Sequence, residues 1–317
     1  MEISIVIPLY GSENTITPVI DEIREEMTRI QVQEYEIILV NDCSPDNVLV
    51  NAKNLAKNDK KIKVISLAKN SGNQAAMMVG YRYSKGRYVV SMDDDYQTPG
   101  NEIGGMIDKL LKDDLDVVFA KYPVKKYSKF RLFGSWANYK MAEIMLGKPK
   151  DLQTNSFFVM RKFVRDEIVL YSNNFLYVYG IIFAITSRVG NAETSHRERL
   201  HGKSGQNLRK LFMFWLNGFL NFSTKPLRIS TVSGFIFSFI AAVTAVWALI
   251  ARILNPDAPI GWASTIITIL FFSGIQLVSI GLLGEYLGRL YISSSKLPRA
   301  VVREIINCDE SEKQTLI

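Results

Sequence analysis

The sequence predicts an α/β domain with a mostly parallel, wound sheet, followed by interfacial helices and a two-helix transmembrane hairpin. Two observations predict it. Apolar, β-branched runs alternate with helix-period stretches through the first half of the chain. Two uncharged runs, each longer than the ~20 residues a helix needs to cross a bilayer, occupy the second half. The first strand is "ISIVIPLY", from Ile3, and a helical stretch follows around Thr17 to Ile30. The next strands are "YEIILVND", "KIKVISLAKN", "RYVVSMDDD" and "LDVVFA". Ligands of wound sheets sit at the carboxyl ends of the strands. The polar clusters "YGSEN", "NDCSPD", "KNSGNQ" and "MDDDYQ" all fall there.

Composition narrows the class. The chain has 317 residues, 48% hydrophobic and 22% charged. It is too apolar to be disordered, and its mean hydropathy of +0.07 is high for a soluble enzyme. Two cysteines, Cys43 and Cys308, make no disulfide framework, and two histidines, His196 and His201, make a poor zinc site. Any metal would need oxygen ligands. A net charge of +7 suits phosphate-bearing ligands or anionic lipid. Nucleic acid fits poorly, because the bases are interspersed with acids. The start of the chain does not read as a signal peptide, since Glu2 follows Met1 and the apolar run is short.

The uncharged runs are Ile229–Ala251 and Ala263–Gly284, joined by the short link "RILNPDAPIGW". Basic residues flank them: Lys225 and Arg228 before, and Arg289, Lys296, Arg299 and Arg303 after. The positive-inside rule puts both flanks, and the large N-terminal domain, in the cytoplasm. Ahead of the hairpin, Leu208, Leu211, Phe212, Trp215 and Phe219 recur at helical spacing, with Arg209 and Lys210 near the start. That pattern suits an amphipathic helix in the membrane interface. The expected organisation is a domain over 1–205, a juxtamembrane helix over 206–228, a hairpin over 229–285 and a tail over 286–317.

Chemistry concentrates in Asp93, Asp94 and Asp95, followed by Gln97. Three adjacent acids repel one another unless a cation neutralises them. In an extended segment residues two apart share a face, so Asp93, Asp95 and Gln97 would line up. Oxygen ligands of this kind suit Mg2+ or Mn2+, with substrate phosphates completing the shell. Asp42 is a candidate partner for a base or ribose, while Ser44, Pro45 and Asp46 are turn formers. Lys121, Lys125, Lys126, Lys129 and Arg131 form one basic group, and Arg197, Arg199 and Lys203 another. Arg forks match phosphate oxygens.

The order "VIPLYGSEN", "VNDCSPD", "KNSGNQAAMMVGY", "MDDDYQTP", "HRERLHGKS", "KPLR" and "GLLGEYLGRLY" resembles the polyprenyl-phosphate glycosyltransferases. These are inverting family-2 enzymes with a nucleotide-sugar-binding, Rossmann-like GT-A domain. They include dolichyl-phosphate mannosyltransferase and bacterial undecaprenyl-phosphate glucosyl- and 4-deoxy-4-formamido-L-arabinose transferases. The resemblance implies that Pro8, Tyr10 and Glu13 contact the nucleotide and that Asp42 contacts base or ribose. It implies that Asp93 lies near the donor's ribose or diphosphate, and that Asp95 and Gln97 bind the metal. Arg131, with Lys125 as a second candidate, would face the acceptor phosphate. Arg199, Gly202 and Ser204, with Lys203 among them, match an R-x-x-G-x-S element that closes over the diphosphate and lipid phosphate. Assembly as a homo-oligomer, with a tetramer as one form, is implied too. So is a multi-pass place in the cytoplasmic membrane, serving surface-glycan synthesis.

The chain departs from this pattern in places. Cys43 stands where Gly is common, Tyr96 where Leu is common and Lys203 where Glu is common. "DLQTNSFFVMRK" and "FLYVYG" match poorly, with Tyr179 near the place of an absent arginine. That region is expected to read sugar and acceptor. A lipid monophosphate, with a second pKa of about 6, is already a dianion at neutral pH and needs no general base. A hydroxyl acceptor would need one, and Asp151 is the best acid available. A processive polysaccharide synthase is one rival reading, through "QNLRK" at Gln206–Lys210. A non-catalytic nucleotide-sugar-binding membrane scaffold is another.

Overall fold

A computed structural model describes residues 1–122, 148–171, 176–195, 197, 225–254, 261–295 and 298–308. The chain divides into two units, Met1–Leu211 with Leu297–Ile317, and Phe212–Lys296.

The first unit is built on one sheet. Its strands are β1 (Ile3–Leu9), β2 (Tyr35–Asn41), β3 (Ile62–Leu67), β4 (Tyr88–Ser91), β5 (Val117–Lys121), β6 (Phe158–Arg161), β7 (Val189–Glu193) and β8 (Val302–Ile306). Helices α1 (Ile16–Arg29), α2 (Val48–Asn58), α3 (Asn73–Tyr83) and α4 (Ile103–Lys112) carry the chain between the first five strands. Two further helices, α5 (Lys162–Leu170) and α6 (Val178–Ile185), follow β6. The strand order is β7-β5-β6-β4-β1-β2-β3-β8. Pairs β1–β2, β1–β4, β2–β3 and β5–β7 are parallel; β6 runs antiparallel to both its neighbours, and β8 antiparallel to β3.

Burial explains the apolar runs. Every residue of β1, β2, β3 and β4 is buried, as expected of strands covered by helices on both faces. α1 contributes Ile16, Val19, Ile20, Ile23 and Met27 to the core, at the three-to-four spacing of one helical face. α3 is buried almost throughout and lies close against β1 and β2, because its inward positions include Ala75, Ala76 and Gly80.

All five strands expected from the sequence are present. The segment after the hairpin corrects the expected tail: it carries β8, which pairs Val64–Leu67 of β3 with Val302–Ile306. Asn307 closes this edge by donating its Nδ2 to the carbonyls of Ala56 (2.7 Å) and Ile62 (2.9 Å). Lys53 pairs with Glu304 at 2.6 Å.

The second unit contains α7 (Lys225–Leu254) and α8 (Trp262–Ser294). Their 30 and 33 residues exceed both uncharged runs. Ser230–Trp247 and Phe271–Ser294 are long and apolar enough to cross a membrane. Phe235, Phe239, Trp247, Leu277 and Val278 all stand exposed on the protein surface. Ser230 Oγ donates to Ser279 Oγ at 2.8 Å, and the Phe237 ring meets those of Phe271 and Phe272. Glu285 accepts from Arg289 one turn later, at 2.6 Å. The expected juxtamembrane helix lies outside the described residues, except that Lys225–Arg228 open α7.

Gly80 tests the packing of α3. A Cβ there would overlap the Val6 Cγ1 methyl and press on Val40 at 3.2 Å. Gly80→Ala should therefore cost about 1–3 kcal/mol. Thermal unfolding of the detergent-purified chain should show a lowered midpoint. An unchanged midpoint would mean that the helix shifts without cost.

Candidate active site

The sheet topology locates the site. From β1 the chain winds outward through β2 and β3, then returns to place β4 on the other side of β1. Such a reversal opens a crevice at the carboxyl ends of the two central strands. Pro8 widens it. Leu9 O accepts from Asp42 N on the β2 side, and Val6 O from Met92 N on the β4 side. Alternation then points Pro8 at β4. The β1–β4 ladder has already ended at Val6 and Ser91, so the missing N–H of proline forgoes no strand bond.

The acidic segment leaves β4 as a turn and not as an extended strand. The period-2 expectation is therefore corrected: Tyr96 is left-handed, with φ 63°, and the chain bends after Ser91. The three carboxylates part company. Asp94 turns inward, where its Oδ2 accepts from Tyr10 N (2.9 Å) and its carbonyl from Thr15 Oγ1 (2.5 Å). Burial pushes its carboxyl up to about 7, and the charges of Asp93 and Asp95 add to this. Asp93 Oδ2 accepts from Ser156 Oγ, just ahead of β6. Asp95 Oδ1 accepts from Gln97 N at 3.1 Å.

The neighbouring loops are tied to one another. Gly11 N donates to Ser44 Oγ at 2.9 Å, and that hydroxyl donates to Asp46 Oδ1 at 2.6 Å. Asp46 Oδ2 accepts from Glu13 N at 2.9 Å. The carboxylate of Glu13 faces α2, accepting from Asn47 N (3.1 Å) and Asn47 Nδ2 (3.2 Å). A helix amino terminus favours such an anion. Tyr10 itself stands exposed at the rim.

Asp42 is 3% exposed and holds the entry to α3. Its Oδ1 accepts from Ser71 N (2.6 Å) and its Oδ2 from Gly72 N (2.8 Å). Gly72 has φ 88°, a conformation that favours glycine. Burial raises the Asp42 carboxyl, and these two N–H groups offset part of the rise. In this structure, then, Glu13 and Asp42 shape the crevice by fixing its loops.

Opposite Asp93, aromatic side chains gather from separate elements. Tyr179 lies 5.4 Å from Tyr177, 6.0 Å from Phe119 and 6.3 Å from Phe158, centroid to centroid. Burial raises the Tyr179 phenol, and nearby Asp93 raises it further. Burial pushes Tyr122 up to about 12, with Asp93 and Asp95 again adding. Arg197 packs at the far side of the turn. Its fork binds Glu22 at 2.6 and 2.9 Å, and its guanidinium lies 5.0 Å from the Tyr96 ring centroid.

Lys125, Arg131, Arg199, Gly202, Lys203 and Ser204 lie outside the described residues. Sequence reasoning missed Ser156, Glu22 and the inward role of Asp94. Asp95, Gln97 and Asp93 fit a divalent cation by their donor chemistry, since all offer hard oxygens within one turn. Among the described residues no group of three or more His, Cys, Asp or Glu is set to hold a metal. Mg2+ sites of this type draw further oxygens from substrate phosphates.

Comparison with known proteins assigns the class. The family model described as Glycosyl transferase family 2 matches residues 4–169, from β1 to α5, and so covers the crevice. The chain belongs to this family. This glycosyltransferase also matches a model described as the GtrB C-terminal hairpin, over residues 225–290. The prophage bactoprenol glucosyl transferase homolog of Escherichia coli (strain K12) is 30% identical over 309 residues, covering 96% of this chain and 99% of its own. The bactoprenol glucosyl transferase of Shigella phage SfV is 30% identical over 307 residues, covering 96% and 98%. Glucosyl-3-phosphoglycerate synthase from Mycobacterium tuberculosis, solved with Mn2+ and UDP-glucose, shares the fold. Its TM-score is 0.50 at 15% identity, over 69% of this chain and 77% of that one.

Asp42→Asn tests the loop clamp. An amide offers one acceptor oxygen, so one of the two N–H groups would lose its partner at a cost of about 1–3 kcal/mol. The expected result is a lower midpoint of thermal unfolding. A wild-type midpoint would remove the clamp from the account.

Proposed function

We propose that this glycosyltransferase transfers a sugar from a nucleotide-sugar, most simply a UDP-sugar, to a polyprenyl phosphate such as undecaprenyl phosphate. The reaction would invert the anomeric centre, depend on Mg2+ or Mn2+, and occur at the cytoplasmic face of the membrane. One conjunction carries the proposal. A carboxylate-bearing crevice at the sheet reversal shares its chain with two exposed apolar helices, and relatives named for bactoprenol match 96% of that chain. The basic flanks of the helices favour a cytoplasmic catalytic unit.

The chemistry follows from charge. An oxygen of the lipid phosphate attacks the anomeric carbon while the bond from that carbon to the diphosphate oxygen breaks. The nucleoside diphosphate leaves with that electron pair. The acceptor is already an anion, so no side chain need take a proton. A divalent cation at Asp95 and Gln97 would neutralise charge on the departing diphosphate. Tyr10 would border the nucleotide, with Pro8 setting the gap and Glu13 and Asp42 holding the loops around it. Asp93 would approach the donor ribose or diphosphate, fixed by Ser156. Arg131, with Lys125, would hold the acceptor phosphate in line. Arg199, Gly202, Lys203 and Ser204 would close over the phosphates. The aromatic group around Tyr179 would face sugar and acceptor.

A lipid-transfer assay tests this. Purified protein in detergent receives undecaprenyl phosphate, Mn2+ or Mg2+, and radiolabelled UDP- and GDP-sugars in turn. Label should enter the organic phase with one donor. EDTA should abolish transfer, and Asp95→Ala should reduce it by about 100-fold or more. Asp151, exposed and left-handed ahead of β6, is the control: Asp151→Asn should transfer near the wild-type rate. Loss of activity in that variant would argue for a general base and hence a hydroxyl acceptor. Transfer that persists in EDTA would sink the metal role.

A further inference from the structure

We infer that Arg197, fixed by Glu22, is a positioning residue that presents the side-chain amide of Gln97 to the divalent cation. The inference rests on the metal role proposed above for Gln97 and Asp95, and adds a control point on α1.

Gln97 is oriented by the main chain of Arg197. Gln97 Nε2 donates to the Arg197 carbonyl, and Arg197 N donates to the Gln97 carbonyl, both at 3.4 Å. With its nitrogen turned to that carbonyl, the amide presents its oxygen elsewhere, and oxygen is the atom a hard cation takes. Hydrogen bonds of 3.4 Å are long and weak, so they do not fix the main chain at 197 by themselves. The strong contacts are the charge-assisted pair between the Arg197 fork and Glu22, at 2.6 and 2.9 Å. Glu22 is well placed to be the fixed end. Its side chain is 12% exposed, and it lies on α1 between the buried residues Ile20 and Ile23.

The stacked contact acts on the same turn. Arg197 lies over Tyr96, the left-handed residue between Asp95 and Gln97. One guanidinium therefore braces the bend that separates the two proposed ligands. Its own backbone orients the second of them. Outer contacts of this kind set the direction of metal ligands and are worth about 10–100-fold in metal affinity.

The test reads metal binding directly. Mn2+ is titrated into the full chain in detergent with UDP present, and free Mn2+ is followed by electron paramagnetic resonance. Arg197→Ala and the near-isosteric Glu22→Gln should each weaken Mn2+ binding by about 10-fold, with UDP affinity in EDTA unchanged. The charge-swapped double variant, Glu22→Arg with Arg197→Glu, should recover most of the loss. Asp95→Ala is the reference. If it loses Mn2+ while Arg197→Ala and Glu22→Gln bind as wild type, the positioning role is overturned and the metal site stands. If the two variants weaken UDP equally in EDTA, the pair is only structural and the inference fails. If Asp95→Ala binds Mn2+ as wild type, the metal reading itself fails and takes this inference with it.

Discussion

The engagement of Asp94 with the loop after β1 is the constraint on which the crevice depends. Strands β1 and β4 diverge where the winding reverses, and their loops would otherwise share no ladder. Asp94 bridges them with both its carboxylate and its carbonyl, to Tyr10 N and Thr15 Oγ1. Turning one acid inward carries a cost, visible in a carboxyl pushed up by burial. The return is geometric. With Asp94 committed to the protein, Asp93 accepts from Ser156 Oγ and Asp95 from Gln97 N. Three like charges in a row thus become one tie between loops and two carboxylates with separate partners.

Much of the fold was legible because buried parallel strands announce themselves as apolar runs. β1 to β5 are long or strongly β-branched, and helices α1 to α4 follow the first four of them. The strands that escaped notice lack those signs. β6 has four residues, opens a helix directly at Lys162, and runs antiparallel between β4 and β5. β8 holds Arg303 and Glu304 among its five residues, and its partner β3 lies more than 200 residues earlier. A pairing across that separation leaves no local trace.

The site divides along the same line. Residue types and their place at strand ends were readable, which is why Asp42, Asp93, Asp95 and Gln97 could be named. Their directions were not. Periodicity assumed a straight strand, and a left-handed Tyr96 removed that assumption. Glu22 carried no signal at all, since on α1 it reads as one more acid of a solvated face. Only the return of the chain at Arg197, 175 residues later, gives it a partner. Glu13 and Asp42 show a related gap: sequence can say that an acid lies at a loop, but not whether it faces a ligand or its own backbone.

The pairing of β8 with β3 makes the apolar hairpin an insertion within the catalytic unit, and this bears on how the chain is made. Synthesis runs from the amino end, so β3 must emerge with one edge unpaired and wait while both long helices are produced. Throughout that interval a buried-type strand, Ile62–Leu67, offers free backbone groups, the condition under which sheets join other chains. The last strand arrives only after α8 is complete and then covers the edge. Closure of the sheet is thus a late event, and a chain stopped anywhere before Val302 would keep β3 open however well the rest had folded.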